Sequence, residues 1–327
     1  MTLRSASNSA QEPKDPRVVR WPHPGNTTPL RHPGRIVIAL VCLAALGGFA
    51  YALATNPNLS WPAVAQYIFF PKILSGVGVT IALSIIATVI GIVIGVVLAV
   101  MKLSANPLAR WLSTLYIWFF RGTPVLVQLI FWFNLAFLFP TLTIAIPGTN
   151  LGYEWDTNSL MTGFNAAVLG LALNLGAYAA EIVRAGIQAI DIGQSEAASS
   201  LGMTSAQRLR IVVLPQALRI IIPPFGNEFI GMLKTTSLVY VVAGNDLMTN
   251  ASQIYKENSK IMELLIVASI WYMLLTAIAT YLQSKLEKKF GYSNLPPSPG
   301  RRRPAPPADT GGLFRTGVIR VPSEDLT

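Results

Sequence analysis

The sequence predicts an all-α, polytopic transmembrane helical bundle of six spans, and three observations predict it. Of 327 residues, 52% are hydrophobic and 12% are charged, about half the charged share of a soluble domain. Several apolar runs are long enough to cross a hydrocarbon core of ~30 Å. None of them alternates as barrel strands do, and only helices and closed barrels satisfy their backbone in lipid.

Residues 1–35 are rich in Pro, Arg, Ser and Asn. They lack apolar periodicity, so a disordered tail is expected. No small-residue cleavage site follows the first apolar run, so this is not a signal peptide. Ile36–Ala54 is the first span, ~28 Å long at 1.5 Å per residue. Residues 36–72 are expected to form an N-terminal helix and an external loop. That loop is uncharged but holds Trp61, Tyr67, Phe69 and Phe70, which suit a membrane–water interface. The second span runs from Ile73 to Met101. Gly91 and Gly95 give it a GxxxG spacing that permits close helix contact.

Ala109–Phe120, with Trp111, Tyr116, Trp118 and Phe119, reads as an interfacial helix. Arg121-Gly122-Thr123-Pro124 follows. Threonine suits an N-cap and proline the first helical position, so a third span is expected from Thr123 to Pro140. Residues 141–158 are a loop with Glu154 and Asp156 and no basic residue. The fourth span is Leu160–Ala180 and the fifth Gln216–Val242, interrupted by Pro223-Pro224. A loop of mixed charge, 243–260, precedes the last span, Ile261–Tyr281. Residues 291–327 are Pro-rich, and a disordered tail is expected.

Charge sets the topology. Arg17, Arg20, Arg31 and Arg35 place the N-terminus in the cytoplasm. Six alternating spans then put Lys102–Arg110, Glu181–Pro215 and the C-terminal tail inside, so both termini are expected to be cytoplasmic. The net charge of +10 sits mainly in the tails and the polar segment. It therefore points to topology rather than to nucleic acid. The single cysteine, Cys42, lies in an apolar run and forms no internal disulfide.

Glu181–Pro215 is polar and lies between two apolar spans. Ile182, Ile187 and Ile190 share a rough helical face, and Asp191-Ile192-Gly193 resembles a turn. Ser195–Leu201 is a helix of small residues that Gly202 can end in a left-handed cap. Ser205 can cap a further helix, which Pro215 separates from the fifth span. The small face of Ala197, Ala198 and Ser199 allows close approach to a partner groove. On these residues alone, a docking element and an ordinary cytoplasmic loop fit equally.

Glu196-Ala197-Ala198, then Gly202, then Leu214-Pro215 resembles the EAA loop of membrane subunits of binding-protein-dependent ABC importers. The family's usual Ile two residues before Leu-Pro is Val212 here, beside Ile211. Other residues resemble the polar amino-acid permeases within that family. They are Arg121-Gly122-Thr123-Pro124 with Gln128, Gly176-Ala177-Tyr178 with Glu181 and Arg184, and Gln216-Ala217. Pro223-Pro224 with Asn227-Glu228, and Lys234-Thr235-Thr236-Ser237-Leu238, complete the set. Thr235 stands where the family often has Asp or Asn, which bears on substrate choice. The resemblance covers about residues 73–290 and leaves out the tails and the first span.

The resemblance implies a five-helix type I ABC importer core at 73–290, with its coupling segment at 181–215, and makes the N-terminal helix within 36–72 extra to that core. It implies a permease subunit that moves a polar amino acid across the cell (inner) membrane. The implied partners are two copies of an ABC ATPase, a second permease subunit (identical or homologous) and an external substrate-binding protein. Glu196, Ala197, Ala198, Gly202, Leu214 and Pro215 would couple to the ATPase. The chain itself is expected to bind no cofactor; ATP and magnesium belong to the ATPase. Gly226–Lys234 has glycines spaced like a phosphate loop, but no Gly-Lys-Ser/Thr follows. The histidines, His23 and His32, both lie in the N-terminal tail, so no metal site or histidine triad is expected within the spans.

Polar residues inside apolar spans are the other signal. A charge at the bilayer centre costs at least ~2.5 kcal/mol on insertion scales. Gln128, Asn174, Tyr178, Asn227, Glu228, Lys234, Thr235, Thr236 and Ser237 are therefore candidates for the pathway. Lys234 could meet a carboxylate and Glu228 an ammonium. The competing reading is structural: ion pairs within the bundle, and Thr235, Thr236 and Ser237 bonded to backbone carbonyls. Glu181 and Arg184 are spaced for a local ion pair, Arg121 for lipid phosphate or a structural role, and Pro223-Pro224 for a hinge or a static kink. A secondary carrier or channel would need no coupling segment, and no matching halves are visible. A membrane-embedded enzyme lacks a nucleophile–base pair.

Overall fold

The computed structural model describes residues 33–145 and 152–290, with two-residue strands at Val19–Arg20 and Val318–Ile319. The disorder expected for the tails otherwise falls outside the described residues. The chain divides into two units, Met1–Ala54 with Pro296–Thr327, and Thr55–Leu295. In the first unit, helix α1 (Pro33–Ala54) is apolar on all sides beyond Arg35, and the two short strands pair antiparallel.

The second unit opens with α2 (Trp61–Ile68), where the sequence predicts a loop. Trp271 Nε1 donates to Ile68 O at 2.7 Å and anchors α2. Helix α3 (Pro71–Leu103) is the second span. It packs along α7 (Gly163–Gln188), the fourth span. The GxxxG pair explains the closeness: a Cβ on Gly95 would lie 2.4 Å from Ala179 Cβ, and one on Gly91 2.9 Å from Leu175 Cβ.

The third span departs from expectation. Helix α4 (Pro107–Gly122) and α5 (Val125–Phe133) meet at a bend of 100°. Alone, α5 is ~14 Å long, about half a hydrocarbon core. A 3-10 turn, Leu135–Phe137, follows it. Helix α4, expected at an interface, is tied to the bundle. Its Ser113 Oγ donates to Leu98 O on α3 at 2.7 Å, and its Tyr116 OH donates to Leu173 O on α7 at 2.9 Å. Taken together, the two helices are long and apolar enough for one crossing, bent at Thr123-Pro124. The break lies at the level of Asn174, near the middle of α7, since Asn174 Nδ2 donates to Phe120 O at 3.0 Å. A helix does start here, but one residue later than predicted: Pro124 is its N-cap and Val125 its first residue, while Thr123 ends α4 and its hydroxyl donates to Phe119 O at 2.9 Å instead of capping α5.

The following loop holds a β-hairpin, β1 (Thr141–Ala145) with β2 (Gly152–Asp156), pairing Thr141 with Asp156 and Ala145 with Gly152. The short helix α6 (Thr157–Leu160) leads into α7.

The polar segment does not begin as a separate element: Glu181–Gln188 continue α7, and α8 (Ile192–Ser200), α9 (Ser205–Gln207), a π-helical stretch, Arg208–Val213, and α10 (Leu214–Thr235) follow. Gly202 takes φ 77° and caps α8 in the left-handed region as predicted. The N-cap of α9 is Thr204 rather than Ser205; Thr204 and Gln207 form a reciprocal capping box. Pro215 does not separate the segment from the fifth span. Proline cannot donate to the carbonyl four residues back, and the helix widens into the π turn instead of stopping. Pro223-Pro224 likewise lie inside continuous α10. A 3-10 stretch, Thr236–Val242, ends it at Ala243, φ 52°.

Residues 247–258, expected as loop, form helix α11 (Leu247–Asn258). Its buried face is half polar, with Thr249, Asn250 and Ser252 beside Leu247, Ala251 and Ile254, so no apolar periodicity announces it. Hydrogen bonds replace that signal: Asn250 Nδ2 donates to Lys72 O at 2.8 Å and Leu247 N to Thr80 Oγ1 at 3.1 Å. Helix α12 (Ile261–Phe290) is the last span. Five helices among the described residues are long and apolar enough to cross a membrane, six when α4–α5 counts as one.

Candidate functional site

The break between α4 and α5 opens a cavity of about 530 Å³ toward α7 and α10. Arg121, Gly122, Thr123 and Pro124 form one wall. Asn174 and Tyr178 come from α7, and Glu228, Gly231, Met232 and Thr235 from α10. Those four α10 residues stand at i, i+3, i+4 and i+7, one face of a helix. That spacing is the sequence signal that would have found Gly231 and Met232.

Two amides make the break tolerable at this depth. Gln128 is 5% exposed. Its Nε2 donates to Phe120 O and Thr123 O at 3.1 Å and to Thr123 Oγ1 at 2.7 Å. Asn174 shares Phe120 O and donates to Gln128 Oε1 at 3.4 Å. Phe120 O and Thr123 O, at the end of α4, thus receive side-chain donors in place of backbone ones. Gln128 supports the wall rather than lining the cavity.

Two charges remain in it. The Arg121 guanidinium sits 5.2 Å from the Tyr178 ring centroid, a cation–π contact. Among the described residues neither Arg121 nor Glu228 has an ion-pair partner.

The other expected pathway residues lie elsewhere. Lys234 is exposed and outside the cavity lining, and Asn227 accepts from Gln283 Nε2 at 2.9 Å, toward α12. The hydroxyls of Thr235, Thr236 and Ser237 donate to the carbonyls of Gly231, Leu233 and Lys234. Of these three, only Thr235 also borders the cavity.

Further along α7, Glu181 bonds Arg184 at 2.7 Å as its spacing predicts, and also Lys102 at the end of α3. The α3 partner was not legible, because it is distant in sequence. Helix α8 lies beyond this cluster. Ala198 is its one buried residue; Glu196 and Ala197 are exposed. Ile192 and Leu201, at its two ends, are 74% and 79% exposed. Arg208 Nη1 donates to Ser199 Oγ at 2.8 Å and ties α8 to the π stretch that runs into Leu214-Pro215 and α10.

Residues 91–292 match the family of binding-protein-dependent transport system inner membrane components. The chain belongs to that family. The permease is 41% identical to the arginine transport system permease protein ArgU of Corynebacterium glutamicum, over 92% of this chain and 94% of that one. So long a match necessarily takes in residues 36–54, which the motif resemblance had left out. It is 34% identical to a probable glutamine ABC transporter permease protein, GlnM, of Bacillus subtilis, over 68% and 96%. Among solved structures it resembles an amino acid ABC transporter crystallised with histidines, with TM-score 0.61 and 37% identity over 71% of this chain and 99% of that one. A chain of the MetNI methionine ABC transporter, 18% identical with TM-score 0.54 over 71% and 99%, shares the fold. The permease is therefore a multi-pass inner-membrane transport subunit of an amino-acid ABC system.

Proposed function

We propose that this permease, paired with a second permease subunit, carries a polar amino acid inward through the cavity at the α4–α5 break. The observation that carries this reading is the cavity's pair of opposite charges, Glu228 and Arg121, each without an ion-pair partner among the described residues. Charges held inside a bundle normally face a partner or a wet cavity. A zwitterion supplies both missing partners: its ammonium meets Glu228 and its carboxylate meets Arg121. The start of α5 adds the positive end of a helix dipole to the carboxylate side. Arg121 thereby takes the role first expected of Lys234. The relatives named for arginine and glutamine support an amino-acid substrate.

Coupling is assigned to Glu196, Ala197, Ala198, Gly202, Leu214 and Pro215. The exposed Ile192 and Leu201 bracket α8, and apolar side chains in a water-facing segment favour a covering partner. Two ATPase subunits, using ATP and magnesium, would each grip one α8. An external binding protein would deliver the solute on the opposite side, with both termini of the permease cytoplasmic.

The test is uptake of a panel of labelled amino acids into proteoliposomes holding permease, ATPase and binding protein. Uptake that requires ATP and binding protein, and that Glu228→Gln lowers at least about tenfold, as expected for a charged contact of ~1.5–3 kcal/mol, supports the reading. Uptake driven by an ion gradient without ATP overturns it.

A further inference from the structure

Just before Glu228, Pro223 and Pro224 remove two backbone donors from α10, so the helix there resists twisting less than an intact one. At this segment α12 presents Gln283, which is 9% exposed. Its Nε2 donates to Asn227 Oδ1 at 2.9 Å, to Glu287 Oε1 at 2.8 Å and, more weakly, to Pro223 O at 3.3 Å. The side chain reaches α10 because residue 226 is glycine. A Cβ on Gly226 would lie 2.7 Å from Gln283 Cγ and 2.8 Å from its Cδ. With 3.6 residues per turn, Gly226 sits about 200° around the helix from Glu228. Gln283 thus holds α10 from behind, while the opposite face carries Glu228, Gly231, Met232 and Thr235 into the cavity.

We infer that Gln283 is a positioning residue: it fixes the rotation of α10 at the proline pair and so aims Glu228 into the cavity. The bonds the prolines cannot make are those to Arg219 O and Ile220 O; Pro223 and Asn227, bonded to Gln283, lie on the Glu228 side of that weakened turn, so one amide from a neighbouring helix holds the segment that the turn leaves free to twist. A merely stabilising contact would act on the whole bundle; this one acts on substrate through Glu228. The inference rests on the cavity being the substrate site.

The test is a double-mutant cycle on the purified permease–ATPase complex without binding protein. The readout is the Kd of the labelled amino acid that the uptake panel identifies. Gln283→Met keeps the length and apolar stem but removes the amide. Expected is a rise in Kd of about tenfold in the native background and under about twofold in a Glu228→Gln background, because residues acting as a unit are not additive. An unchanged Kd, or an equal shift in both backgrounds, overturns the positioning role. If Glu228→Gln alone leaves Kd unchanged, the substrate-site reading fails instead, and this inference with it. Should Gln283→Met not yield folded complex, Gly226→Ala displaces the same amide, and the same cycle decides.

Discussion

The break between α4 and α5 rests on a redundancy that a double-mutant cycle can expose. Phe120 O receives two donors, Gln128 Nε2 at 3.1 Å and Asn174 Nδ2 at 3.0 Å. Gln128→Leu removes that bond and both bonds to Thr123, yet leaves Phe120 O with Asn174. At about 0.5–1.5 kcal/mol net per bond, with Thr123 O orphaned, the cost is about 2–4 kcal/mol. Asn174→Leu leaves Phe120 O with Gln128 and costs about 1 kcal/mol. The double variant alone strips Phe120 O completely, adding about 1–3 kcal/mol for a buried carbonyl without a partner. The bond between the two amides, counted in both single variants, offsets this only slightly, because it is long at 3.4 Å. The double variant should therefore cost more than the sum of the singles, by about 1 kcal/mol. Reversible unfolding in mixed detergent micelles, followed by tryptophan fluorescence, measures all three. A double variant that equals the sum within about 0.5 kcal/mol, or costs less, refutes the account of how the break is sustained.

Other outcomes follow from single contacts. Gly95→Ala forces α3 from α7, because its Cβ would lie 2.4 Å from that of Ala179. A loss of about 1–3 kcal/mol is expected, and an unchanged unfolding midpoint would contradict the packing described. Gly202→Asp places a charge and a side chain at φ 77°, where the space is open but the backbone is strained. The protein should insert normally and lose ATP-driven uptake; normal uptake would count against coupling through α8. Burial raises the carboxyl pKa of Asp246, and bonds from Thr249 and Met248 oppose this only in part. A raised folded-state value favours the protonated form. Stability should therefore fall as pH rises from the ordinary carboxylate range through the raised value. Asp246→Asn should flatten that slope, visible as a difference from the native melting curves that changes with pH; an unaltered slope would assign the titration to another group.

How much was legible depended on where the partner of each group lies. The spans were legible because lipid demands long apolar helices, and composition alone meets or fails that demand. The GxxxG contact and the left-handed cap at Gly202 were legible because both depend on the absence of a Cβ. Proline was misread at 215 and 223–224. It forbids a local hydrogen bond, but whether the helix then stops depends on its surroundings: before Pro215 the helix widens into a π turn, and at 223–224 it runs on, packed against α12. Helix α11 was missed because its buried face is satisfied by hydrogen bonds to Lys72 O and Thr80 Oγ1 rather than by apolar packing.

The candidate site divides the same way. By itself the sequence determined that Asn174 and Glu228 would be costly inside an apolar span without a reason, because desolvation is a property of each residue. Only the tertiary structure decided which residues meet. The broken crossing brings Arg121, Tyr178 and Glu228 to one cavity, turns Asn227 toward α12 and leaves Lys234 outside. The physical reason is that helical period sets the faces of each helix, whereas the rotation of one helix against another is fixed by contacts far apart in the chain.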